Sequence, residues 1–153
     1  MATYTKQMQE IVADYRAEGN VWPAASKTIA VWAILTGRWK LPSSAAVIRC
    51  AEDVASAMRE EYMTDAKGRR VRVKHPAKVW KNGEQTVLWD DIRTATRRHM
   101  QVSFQNRRQG IVSDCRQMKM DCDSYNEAHP ADAPLQIVFD FTMDLAEAEA
   151  AAS

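Results

Sequence analysis

Residues 69–91 read RRVRVKHPAKVWKNGEQTVLWDD, and their periodicity decides the fold class. From Arg69 to Lys74 the chain alternates, with Val71 and Val73 on one face and Arg70, Arg72 and Lys74 on the other. A period of two predicts a strand with one face buried and the other in water. Two more extended runs, Ala77 to Trp80 and Gln85 to Trp89, flank Lys81-Asn82-Gly83-Glu84. Asn-Gly between such runs predicts a hairpin, because both central residues of its tight turn need positive φ.

Outward from this stretch the period changes to that of a helix. Tyr4, Met8, Ile11 and Tyr15 mark a first helix from about Tyr4 to Glu18, ended by Gly19-Asn20. A second is expected to open near Pro23 and close at Gly37, with Ile29, Trp32 and Ala33 inward. A third follows Leu41-Pro42, with Ser43 or Ser44 as cap, and reaches Tyr62; Val47, Ala51, Val54, Met58 and Tyr62 form its apolar stripe. On the other side, Met100, Phe104, Arg108, Ile111, Cys115, Met118, Cys122 and Tyr125 keep spacings of four and three. They predict one long helix over 91–128. After Pro130 and Pro134, Leu135, Ile137, Phe139, Phe141 and Met143 alternate with Gln136, Val138, Asp140, Thr142 and Asp144. This predicts a strand over 135–144, whose apolar face needs a cover from the chain or from a partner. Residues 145–153 read as a helix-prone acidic tail.

The chain has 153 residues, 46% of them hydrophobic and 27% charged. Such a composition is globular and excludes collagen-like or low-complexity chains. Its length suits a single domain over 1–144, with residues 1–89 as one part. Three cysteines are too few for a disulfide framework. The longest apolar run, Ile29 to Leu35, is far short of the roughly 20 residues that span a membrane. The opening MATYTKQMQE lacks the basic-then-apolar order of a secretory signal. The expected protein is therefore cytoplasmic and makes no membrane contact.

Little in the chain points to catalysis. The five glycines stand singly, so no phosphate loop is present. Cys115 and Cys122 lie seven apart on one helical face, which suits a packed seam better than zinc. His75, His99 and His129 have no neighbouring nucleophile arrangement. Paired carboxylates such as Asp90-Asp91 serve metal-dependent nucleases, but before a helix they are favoured by its dipole, and we read them as its N-terminal cap. No catalytic residue, metal or cofactor is expected.

Charge is the informative signal. Residues 1–119 hold all 21 Lys and Arg with 12 acids, a net of +9, and residues 120–153 hold eight acids, a net of −8. Such segregation suits a polyanion-binding surface with an acidic tail, or two ends that neutralise each other in the fold. The basic part concentrates in Lys67, Arg69, Arg70, Arg72, Lys74, Lys78 and Lys81, followed by Arg93, Arg97, Arg98, Arg107 and Arg108. On one strand face, Arg70, Arg72 and Lys74 would stand about 6.6–7 Å apart, close to the spacing of phosphates along a nucleic-acid strand. Arg93, Arg97 and Arg107 or Arg108 could extend that row along the long helix.

Three helices followed by a hairpin resemble a winged helix-turn-helix in architecture, with residues 23–62 as the paired helices and 69–89 as the wing. The resemblance covers a little over half of the chain. It implies DNA binding, in which the third helix normally enters the major groove. Here residues 49–61 carry Arg49 and Arg59 against Glu52, Asp53, Glu60 and Glu61. Such a helix repels phosphate, so the wing and long-helix arginines are expected to dominate. The expected fold is α+β and mainly helical. The expected function is a DNA-binding or regulatory protein that contacts the backbone of duplex DNA through the twelve basic residues above. The alternative is an oligomeric protein–protein adaptor without nucleic acid. Phe104, Ile111, Cys115, Met118, Cys122 and Tyr125 form a heptad-like seam that predicts a homodimer.

Overall fold

The structure, a computed structural model, describes residues 3–41 and 44–152. It is α+β, with five helices and two two-stranded antiparallel sheets among the described residues. Contacts divide it into two compact units, Met1–Ala55 and Ser56–Ser153.

In the first unit, α1 (Tyr4–Ala17) and α2 (Ser26–Leu35) pack together, and α3 (Ala45–Arg59) runs across the unit boundary. Thr3 caps α1 by accepting the Lys6 N–H at 3.1 Å. Ile11, Tyr15 and Ala33 are buried. Trp32 meets Tyr15 edge-on at 5.3 Å, and the Arg38 guanidinium covers Trp32 while pairing with Asp14 and Glu18. The second helix opens three residues after Pro23, not at it. The third buries none of its residues, so the stripe Val47, Ala51, Val54 is exposed where burial was expected. Pro42 and Ser43, the expected break and cap, lie outside the described residues.

The second unit carries the sheets. Tyr62, expected at the end of the third helix, instead opens β1 (Tyr62–Thr64), which pairs with β2 (Arg70–Arg72) in the register Tyr62↔Arg72 and Thr64↔Arg70. The basic strand thus has a partner that its own alternation did not reveal. It also stops sooner: β2 ends at Arg72, and Lys74 begins the next strand. The Asn82-Gly83 hairpin forms as expected, joining β3 (Lys74–Lys81) to β4 (Glu84–Asp91) with Lys81↔Glu84 beside the turn. Both turn residues have positive φ, +53° and +77°, as the turn requires. Pro76 lies inside β3, which is permitted on an edge strand because no ladder N–H is lost there.

β3 packs on α4 (Arg97–Ala128), a helix of 32 residues and so about 48 Å long. Its cap is Thr96, whose hydroxyl accepts the His99 N–H at 3.1 Å. Asp90 and Asp91 do not cap it, because they close β4. Asp91 accepts the Arg93 N–H at 2.9 Å and ion-pairs with its guanidinium at 2.6 Å, fixing the turn that leaves the sheet. Those bonds hold the Asp91 carboxyl far below the usual carboxylate range.

No strand forms over 135–144. Residues 133–141 carry no regular structure, and α5 (Thr142–Ala152) takes the place of the expected strand end and much of the tail. The alternation found no neighbouring backbone to pair with. Side chains of α4 supply its bonds instead: Asn126 Oδ1 accepts the Leu135 N–H at 2.9 Å, and Asn126 Nδ2 donates to the Leu135 carbonyl at 2.9 Å. Further on, Phe139 and Phe141 share a groove with Ile111, Val112 and Cys115 of α4. Asp140 then accepts both the N–H and the hydroxyl of Thr142, an N-terminal stop for extended structure and a start for α5.

Candidate nucleic-acid interface

The hairpin is fastened to α4 by a polar stripe. His99, Ser103 and Asn106 fall within about 60° of one another around a helix of 3.6 residues per turn. His99 Nε2 donates to the His75 carbonyl at 2.8 Å, which fixes that ring's proton on Nε2. Asn106 Oδ1 accepts the Lys78 N–H at 2.8 Å on the free edge of β3. His75 is 4% exposed, donates to the Arg72 carbonyl at 2.8 Å and meets Phe104 edge-on at 5.8 Å. Ala77 and Ser103 are buried where strand and helix approach, and both are small.

Beside this junction lies a cleft of about 200 Å³. Arg72, Lys74, Pro76 and Lys78 line its strand side, Ser103, Asn106 and Arg107 its helix side, and Arg59 and Trp89 border it as well. Not one Asp or Glu lines it. Lys74 is compensated from outside, with Nζ 3.3 Å from Glu61 and 4.0 Å from Asp91. Arg59 lies over the Trp89 ring at 5.4 Å. Among the described residues, Arg59, Arg72, Lys78 and Arg107 have no carboxylate partner. No protein family matches the chain, and no curated protein or solved structure does either.

Four of the twelve basic residues singled out in the sequence (Arg72, Lys74, Lys78 and Arg107) therefore meet in one place. Others are placed differently. Arg70 stacks over Tyr62 at 4.0 Å, and Arg69 pairs with Asp65 at 2.8 Å, which holds that carboxyl below its ordinary value. Arg93 is spent on Asp91. Lys67 sits on an exposed turn, and Lys81, also exposed, ends β3. The expected row along the long helix is kept only by Arg97 and Arg108, about 20° apart around the axis, because Arg93 precedes α4 and Arg107 lies about 80° from Arg97. Arg108 lines the Phe139–Phe141 groove on the far side instead. The strand row is also broken, because Lys74 belongs to a different strand from Arg70 and Arg72 and is neutralised.

The residues that sequence reading missed are Arg59, Trp89, Ser103 and Asn106. A signal for two of them was available: Ser103 and Asn106, with His99, mark a polar stripe on the helix face away from the apolar seam. That seam is itself largely unfilled. Phe104, Ile111, Met118 and Tyr125 are about half exposed, and Cys115 and Cys122 are partly covered.

Proposed function

We propose that the protein binds nucleic acid, duplex DNA first, by contacting phosphates through the cleft-lining cations and the exposed arginines around them. One observation carries this reading: four cations without a carboxylate partner among the described residues line one cleft that contains no acid. Crowding like charges raises the energy of the free protein, and a phosphate relieves it while releasing its own counterions. Arg97 and Arg98 add to the same logic. They occupy the first turn of α4, which has no acid, where the helix dipole disfavours cations. Such placement costs stability and suits an incoming anion. The test is titration of a generic duplex at increasing salt. Affinity is expected to fall steeply with salt, and absence of binding at low salt would refute the reading.

A second reading is supported by the apolar surface. The half-exposed α4 seam, with Val138, Met143 and Leu145 beyond it, is the surface a second copy or another protein would cover. Sedimentation equilibrium separates the cases, since a monomer at micromolar concentration would remove self-association.

A further inference from the structure

The cleft has a feature that a merely electrostatic surface does not need. Ser103 is 1% exposed, and its Oγ has no hydrogen-bond partner although it lines the cleft. Buried hydroxyls are nearly always bonded, because an unpaired one forfeits its bonds to water and gains none in return. An alanine would fill the same space without that cost. Ser103 shares the lining of the cleft with Arg72, Lys78 and Arg107. Arginine presents a planar fork of donors that matches phosphate oxygens, and a hydroxyl bond to an ionised oxygen is among the stronger ones. The cleft, at about 200 Å³, is smaller than the roughly 300–1,000 Å³ of sites that enclose whole small molecules.

We propose that this cleft is a recessed subsite for one phosphoryl group, with Ser103 Oγ donating to a phosphate oxygen while Arg72 and Arg107 grip the others. The subsite deepens the nucleic-acid reading and rests on it only for the source of the phosphoryl group. That source is either the terminal phosphate of a strand or an internal phosphodiester. A small group enters such a recess and a base does not, so the subsite takes the phosphate and leaves the nucleoside outside.

The experiment is a titration of the full chain with inorganic phosphate, read at the Ser103, Asn106 and Lys78 amide resonances, with chloride at matched ionic strength as reference. Saturable shifts with phosphate alone are expected. Ser103→Ala removes only the hydroxyl, so it should keep or raise the melting temperature and weaken phosphate by at least about tenfold. Arg107→Ala, at an exposed position, should weaken it likewise. No saturable shift, or unchanged phosphate affinity in a folded Ser103→Ala protein, would overturn the subsite. Duplexes with and without a 5′-phosphate then identify the source. Tighter binding of the phosphorylated duplex, lost in Ser103→Ala, assigns the terminal group; equal binding displaced by phosphate assigns the internal one. A phosphate response with no duplex binding would leave the subsite standing and remove the nucleic-acid reading. Duplex binding with no phosphate response would do the reverse.

Discussion

The proposed interface is tested most sharply by removing three cleft cations together. Arg72, Lys78 and Arg107 have no carboxylate partner among the described residues, so Arg72→Ala, Lys78→Ala and Arg107→Ala in one chain break no ion pair, and the fold should persist. The backbone bond from the Lys78 N–H to Asn106 is untouched by side-chain truncation. If each cation neutralises one phosphate of duplex DNA, the slope of log affinity against log salt should flatten by about 2.7. Between 50 and 200 mM salt that difference amounts to roughly a 40-fold narrowing of the gap between wild type and variant. Lys74→Ala is the control. Its charge faces Glu61 and Asp91, so it should change the slope by well under one. The assay is fluorescence anisotropy with a labelled duplex across a salt series, with circular dichroism as the check on folding. A triple variant with the wild-type slope would refute the interface. So would a Lys74→Ala slope change as large as that of a cleft cation, because net charge rather than placement would then govern binding.

Three further expectations concern the scaffold. The Asp91 carboxyl is held low chiefly by its side-chain and backbone bonds to Arg93; its contribution is complete above the ordinary carboxylate pKa near 3.8 and is lost as pH falls through the depressed folded value. Asp91→Asn should flatten the acid limb of a melting-temperature profile, and an unchanged limb would show that another group controls it. Asn126→Ala removes both bonds to the Leu135 backbone and should cost about 1–3 kcal/mol in holding residues 133–141 on α4, read as faster exchange of the Leu135 amide; unaltered exchange would mean that Asn126 does not hold that segment. Phe104→Ala would cost about 3–5 kcal/mol at a buried position, and at a half-exposed one about half of that, measured by urea unfolding of the purified chain. A loss near the full value would show that the seam is covered in solution.

Much of the local structure was legible without coordinates. The Tyr4–Tyr15 spacing, the Asn82-Gly83 turn and the three-four repeat after Met100 each encode torsions that neighbouring residues settle among themselves, and α1, the hairpin and α4 form accordingly. The concentration of positive charge in 67–108 was equally plain, and part of it converges on one cleft. What could not be read was every feature that depends on a partner distant in sequence. Leu135 to Met143 alternates as a strand does, but a strand exists only where another backbone offers a ladder, and here the amide of Asn126 made the bonds instead. Asp91 looks like a helix cap until Arg93 and the end of β4 claim it. Lys74 looks like a third phosphate contact until Glu61 and Asp91 approach it. Ser103 gives no sign in the sequence that its hydroxyl will be buried without a partner. Periodicity and turn chemistry act over a few residues and are written in the chain. Ion pairing, burial and the lining of a cleft depend on which surfaces meet, and only the tertiary structure decides that.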